Sequence, residues 1–476
     1  MVQWLVLVVA IVVFGGAAAH GVVGEDTAAV EVPHGCKDPR DFGAVAGDPE
    51  AWLNNTLAMH RAFNAAVAST GTVCVQGGDF TVADVYAPSN SVLFIAQQAR
   101  LLSSVPNCTH ALLHLEHVQN VTVEGGGTLY GNAEHYIASY SAKDNRFNPT
   151  KPDGSRPRVI FMHNATDVVL REISVLNASD WHVHIQASRR VLVDSVYIHG
   201  DSRFPNNDGI DPDSSIDVTI RNSIIDVADD GICLKSTAGM GPLANVYVHN
   251  CSIRSQSHAI KFGSNTDEDM YNVLFDHIAI LDTNSGLAIQ QRSNGSIYNV
   301  TWSNIGLQTR YSAPRWWGNG EPIVITSERR AGGPPVGNIH DIHFFNISAQ
   351  SENGIFVSGA AHGISNITFT NVDFTVVLFG NYSSGEGPPC FAADHVYDAI
   401  PCMGTHDRRP SARDGPTCSY YCRKIAQADA FYFERTQATL KNILVTFEGV
   451  RQPWFGTCFN HDGASDVTET HVHCVS

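Results

Sequence analysis

The feature that most restricts this chain is an internal repeat. A polar residue is followed by two or three alternating apolar residues, over and over. The copies are Asn120-Val-Thr-Val, Asp167-Val-Val-Leu, Arg190-Val-Leu-Val, Asp217-Val-Thr-Ile, Asn245-Val-Tyr-Val, Asn272-Val-Leu-Phe, Asn299-Val-Thr-Trp, Asp341-Ile-His-Phe and Asn366-Ile-Thr-Phe. From Asp167 onward the spacings are 23, 27, 28, 27, 27, 42 and 25 residues. Leu440 to Val445 reads as one more copy. A period of this length with several short strands signals a solenoid, in which each unit buries its apolar face only against its neighbours. β-Branched residues dominate and long helical patterns are missing, so the expectation is all-β: a right-handed single-stranded parallel β-helix. An Ala-rich amphipathic stretch, Thr56 to Val67, predicts a short helix that caps its open N-terminal end.

The chain has 476 residues and a net charge of -17, with 43% hydrophobic and 16% charged residues. The acidic balance argues against nucleic acid as a partner, because phosphate binding needs clustered Lys and Arg. Met1 to Ala19 reads as a signal peptide, with an apolar run from Leu5 to Phe14 and Ala17-Ala18-Ala19 as the cleavage site. That run is too short to span a bilayer comfortably, and no later segment does better. The expectation is a secreted, monomeric protein. Eleven cysteines follow the signal, an odd number that leaves a thiol over while export favours disulfides. Sequons at Asn54, Asn107, Asn120, Asn164, Asn177, Asn250, Asn294, Asn299, Asn346, Asn366 and Asn381 fit a glycosylated exported protein. The expected organisation is a signal over 1–19, an N-terminal cap and first coils over 20–119, and a β-helix with a groove over 120–382. A Cys-rich insertion over 383–430 precedes the last coils and cap over 431–476.

Acid groups concentrate where the repeat reads as strand. Asn206-Asn207-Asp208-Gly209-Ile210-Asp211 is followed by Asp229-Asp230-Gly231 and then by Ser257-His258-Ala259. Asp230 lies 13 residues after Asp217, and His258 lies 13 after Asn245, so they take equivalent places on successive coils. Insertion of residues such as Phe204-Pro205 brings Asp208 into the same line. Asp229 and Asp230 point to opposite faces in a strict strand, so a turn eased by Gly231 must bring both to one groove. Carboxylates facing one another separate their proton affinities, which supplies an acid and a base together, as glycoside hydrolysis requires. Lone aspartates in such turns usually cap a backbone amide, and Asp211, Asp213 and Asp217 are expected to do so. The loop Arg315-Trp316-Trp317-Gly318-Asn319-Gly320-Glu321 is either a platform for sugar rings or a packed loop.

Asn-x-Asp-Gly-x-Asp, Asp-Asp-Gly and Ser-His-x-x-x-x-Gly-Ser, in this order, resemble the motif set of family 28 glycoside hydrolases, the polygalacturonase-like family. Asp41-Phe42-Gly43-Ala44 and Gly125-Gly126-Gly127-Thr128-Leu129-Tyr130-Gly131 agree with it. The resemblance implies hydrolysis with inversion. It implies Asp229 as general acid, Asp208 and Asp230 as the groups that position and activate water, His258 as support for the acid, and Asn206 as a substrate contact. The chain departs from the family in having Ser257-His258-Ala259 for Gly-His-Gly. It also has Ala288-Ile289-Gln290 where the family carries the Arg-Ile-Lys that grips a uronate carboxylate. Lys261, Gln290 and Arg292 are the candidate replacements in substrate binding, against the reading of Lys261 and Arg292 as a solvated strand face. No cofactor and no metal is expected. Two other readings stay open. One is a β-helix polysaccharide lyase using calcium and a Lys or Arg base. The other is a non-catalytic carbohydrate-binding solenoid.

Overall fold

In the computed structural model the described residues are 31–142, 144–150, 156–311, 316–329, 333–359, 363–377, 429–448 and 456–475. The expected signal peptide, Arg315, Asn381 and nearly all of the Cys-rich insertion lie outside them. The rest coils into a parallel β-helix. One outer sheet contains 19 strands and a second contains 12, and within both the strands of successive coils pair in parallel. Val121, Val168, Val191, Val218, Val246, Val273, Val300, Ile342 and Ile367 stack in register down the long sheet. All nine are buried. Each such side chain contributes roughly 1.5–3 kcal/mol of burial, and the repeat makes that contribution on every turn. Inside the coil Phe275, Trp302, Phe344 and Phe369 form a ring stack with centroids 4.0, 6.0 and 4.7 Å apart.

The polar residue that opens each repeat has a stereochemical duty. Asn120, Asp167, Arg190, Asp217, Asn245, Asn272, Asn299, Asp341 and Asn366 all adopt left-handed backbone, with φ between 51° and 61°. Asn and Asp tolerate this region best among residues with a Cβ. Their side chains also join coil to coil: Asn245 Nδ2 donates to Asp217 Oδ1 (2.8 Å), Asn272 to Asn245 (3.1 Å) and Asn299 to Asn272 (2.7 Å). A second set of bonds links Asn250 to Asn222 and, further on, joins Asn304, Asn346, Asn371 and Asn442, all left-handed. Asp217 therefore serves a ladder rather than an amide cap.

The ladders also explain the sequons. Asn120, Asn164, Asn177, Asn250, Asn299, Asn346 and Asn366 all stand at left-handed turns. After these turns the next residue is buried, and the one after it is at least partly exposed at all of them but Asn177, whose Ser179 is buried. The coil generates Asn-x-Ser/Thr at these seven positions by itself, whereas Asn54, Asn107 and Asn294 do not stand at left-handed turns.

Helix α1 spans Trp52–Val67, four residues longer at its start than the sequence pattern indicates. A 3-10 turn over Pro49–Ala51, begun by the Asp48 side chain, runs directly into it. Its buried face is Asn55, Thr56, Ala58, Met59, Ala62, Phe63 and Ala66, laid on the first strands. Disulfides join Cys36 to Cys74 and Cys458 to Cys474, while Cys108, Cys233 and Cys251 are buried free thiols. Among the described residues no helix is long and apolar enough to cross a membrane.

Candidate active site

The site lies on the 12-stranded sheet, at strands Ile210–Asp213, Ile232–Ser236, His258–Thr266, Ser285–Gln291 and Ile323–Ser327. Ile210, Ile232, Ile260, Leu287 and Ile323 pair in sequence and point inward. Register extends one step before them. Gly209 N donates to Asp230 O, and Gly231 N donates to His258 O, each at 2.9 Å. Asp208, Asp230 and His258 therefore stand level on three successive coils. The two glycines make the turn possible. A Cβ on Gly209 would lie 2.3 Å from Gly231 O and 2.6 Å from Ile225 Cγ2; on Gly231 it would lie 2.6 Å from Ala259 O and from Ile253 Cγ2. With no side chain there, adjacent coils close up and the acids before each glycine face outward.

All four central groups are nearly enclosed: Asp208 is 4% exposed, Asp229 and Asp230 2%, His258 0%. Asp229 Oδ2 accepts the Asn206 amide (3.0 Å) and Oδ1 the Asp230 amide (3.2 Å). Asn206 thus acts through its backbone, while its side-chain oxygen accepts from Arg156 (2.8 Å). Asn207 braces the same turn, its Oδ1 accepting from the amides of Ala228 (2.8 Å) and Asp229 (3.1 Å). Asp230 bridges two partners: His258 Nδ1 donates to Oδ1 (2.9 Å) and Lys261 Nζ to Oδ2 (2.8 Å). Gln290 Nε2 lies 3.2 Å from His258 Nε2. Lys235 Nζ stands 3.7 Å from Asp208, 3.6 Å from Asp211 and 2.8 Å from Cys233 Sγ.

These contacts separate the proton affinities. Burial pushes the Asp208 carboxyl well above the usual carboxylate range, and the neighbouring charges of Asp211 and Asp229 add to this. Burial also pushes Asp230 upward, but the Lys261 ammonium and the His258 hydrogen bond outweigh it and hold the group well below 3.8. Burial lowers His258 from 6.5 against the pull of Asp230, so the imidazole is neutral, with Nδ1 carrying the proton toward Asp230. Asp211 is driven to about 7 by burial, opposed by Lys235. It is fully enclosed beside Lys235 and caps no backbone amide. Asp213 instead gathers Gln186 (2.9 Å), Thr237 (3.0 Å) and His184 (3.2 Å) around one oxygen.

Two sequence readings, of Arg292 and of a solvated strand face, need correction, and the open alternative for the Trp316-Trp317 loop is decided. Arg292 is 1% exposed and turns onto the next coil, donating to Thr326 Oγ1 (2.8 Å) as well as to its neighbour Gln291 O (2.8 Å). Lys261 is 5% exposed and neutralises Asp230, so neither cation lies on a solvated strand face. Trp316 and Trp317 are buried, which decides for a packed loop. Trp316 packs on Ala228 under the Arg146 guanidinium (5.1 Å), and Trp317 lies 5.4 Å from Lys261 Nζ. The sequence reading missed Lys235, Arg156, Asn207 and Trp181. Trp181 stands level with Asp208, since His182 N donates to Asp208 O (2.8 Å), and its ring lies 4.7 Å from Lys235 Nζ. Its spacing of 27 residues from Asp208 is a repeat length and was the available signal.

Donor atoms of Asp208, Asp230 and Cys233 lie within 4.8 Å of one another, close enough for a metal ion. Lys235 and Lys261 already occupy the positive positions against all three, so the donor set does not fit one.

A family model described as Glycosyl hydrolases family 28 matches residues 90–384, more than half of the chain. The chain belongs to that family. A polygalacturonase of Persea americana is 28% identical over 199 residues, covering 40% of this chain and 41% of the relative. An endo-polygalacturonase of Pectobacterium carotovorum subsp. carotovorum is 27% identical over 223 residues, covering 46% and 53%. The matches thus span about half the length of these curated relatives. Among solved structures, a family 28 exopolygalacturonase of Yersinia enterocolitica superposes with a TM-score of 0.64 at 16% identity, covering 90% of this chain and 77% of that one. At that identity the likeness speaks for the fold.

Proposed function

We propose that this protein is a secreted glycoside hydrolase that cleaves pectin-type polysaccharide, galacturonate- or rhamnogalacturonan-containing, with inversion at the anomeric carbon. The observation that carries this reading is the level placement of Asp208, Asp230 and His258 beside Asp229, with two carboxyls of opposite proton affinity. Asp230 stays ionised between Lys261 and His258 and takes the proton from the attacking water. Asp208, kept protonated by burial, orients that water. Asp229 gives its proton to the leaving glycosidic oxygen, the role its motif implies, from a turn fixed by Asn206 and Asn207. His258 acts on Asp230, to which it is bonded, rather than directly on Asp229. Gln290 orients the neutral imidazole.

The test is incubation with a panel of pectic polysaccharides and oligomers, following reducing ends and the anomeric configuration of the first product by NMR. Hydrolysis with inverted configuration, abolished in Asp229→Asn, supports the reading. A product absorbing from a new double bond, or activity lost to chelator, replaces it with a lyase. Binding without turnover in every case leaves a carbohydrate-binding solenoid.

A further inference from the structure

We infer that the sugar ring attacked in this site is an uncharged hexopyranose, neutral or deoxy, rather than a uronate. The inference rests on the hydrolase reading above and narrows its substrate.

Recognition of a uronate in a nearly enclosed site requires a cationic donor that remains available to its carboxylate. Among the described residues, both ammonium groups against the acids are already engaged. Lys261 donates to Asp230 at 2.8 Å. Lys235 lies against Asp208, Asp211 and Cys233. Arg156 is held by Ser179 O (2.7 Å), Pro205 O (2.9 Å) and Asn206 Oδ1 (2.8 Å), with Asp180 at 3.8 Å. Arg158 lies over the Trp181 ring at 4.8 Å and meets His110 at 3.2 Å. Arg292 donates to Thr326 on the neighbouring coil.

The two positions that would add charge do not. Ala288 pairs with Lys261 one coil back, on the same outer face, and brings only a methyl group. Gln290, two residues on, turns to His258. Four carboxyl groups, Asp208, Asp211, Asp229 and Asp230, therefore face two ammonium groups, Lys235 and Lys261, each beside an indole. A uronate carboxylate entering here must break an existing ion pair to find a cationic donor. A ring bearing hydroxyl or methyl at C6 does not meet that obstacle, and the half-buried Trp181 gives it an apolar wall.

The test uses matched oligomers: α-1,4-oligogalacturonides and the same oligomers with the C6 carboxyls reduced to alcohols, together with pectic oligomers carrying a neutral deoxyhexose at the cleaved bond. The expected result is at least tenfold higher kcat/KM for a substrate with an uncharged ring at the cleaved bond than for the galacturonide. Binding to the inactive Asp229→Asn protein should follow the same order. In Ala288→Arg, checked for folding by circular dichroism, the ratio should move toward the galacturonide. Preferential cleavage of the galacturonide overturns this inference and leaves the hydrolase reading standing. If folded protein cleaves no oligomer of any kind, the hydrolase reading fails and this inference falls with it.

Discussion

The long sheet and the groove sheet are wound from the same coils, yet they use register in opposite ways. On the long sheet, register places like beside like. Asn245, Asn272 and Asn299 repeat one hydrogen bond, and one valine position repeats down the core. On the groove sheet, the same kind of register places unlike groups side by side: Trp181, Asp208, Asp230 and His258 follow one another on consecutive coils. The outward face of the long sheet is solvated, and it mixes polar residues with exposed Tyr197, Ile224, Leu274, Phe345 and Leu444. The groove sheet encloses Asp208, Asp211, Asp230, Lys235 and Lys261 at 7% exposure or less. Repetition delivers stability in many small equal parts. Variation at fixed register delivers chemistry, and it concentrates buried charge that must be matched locally.

Substitutions should divide along this line. The largest effect is expected from Asp229→Asn, which removes the proton donor. It should lower kcat by on the order of a thousandfold while changing the thermal midpoint far less, because an amide of the same size keeps its place in the turn. An equal loss of stability and activity would erase the contrast between the regions. Next, Lys261→Met strands the Asp230 carboxylate. Urea unfolding should report a loss of roughly 3–5 kcal/mol, with activity falling alongside.

The third effect depends on pH. Asp211 moves from 3.8 to about 7, so the folded state keeps a proton that the unfolded chain releases. This group therefore costs stability progressively as pH rises from about 4 to about 7. Relative to the parent, Asp211→Asn should gain stability over that window, on the order of 2 kcal/mol at its upper end. A flat difference in thermal midpoint from pH 4 to 7 would place the proton elsewhere. The smallest effect belongs to the long sheet. Asn299→Ala removes one ladder bond and puts Ala at a φ of 53°, which should cost about 1–2 kcal/mol and leave turnover untouched.

The fold was legible because the repeat is written at both levels that matter. Val, Ile and Phe recur at inward positions, and Asn or Asp recurs where the backbone must turn left-handed. The positions of Asp208, Asp230 and His258 followed from the same spacing. What the spacing could not deliver were contacts made by long side chains. Lys261 and Arg292 stand on neighbouring coils, and only packing decides that one reaches Asp230 while the other folds away onto Thr326. Arg156 left no trace at all, since it reaches Asn206 from fifty residues upstream. The helix start was misplaced because nothing in the period announces that the Pro49 turn flows into it.

The close approach at Gly209 and Gly231 carries one more consequence. Asp208 to Asp230 takes 22 residues and Asp230 to His258 takes 28, yet the three stay level. The surplus length is expelled at the corners while the glycine contacts hold the strands in step. Evolution can therefore redraw the rim of the cleft, lengthening or trimming a bend, without retuning the machinery at its floor.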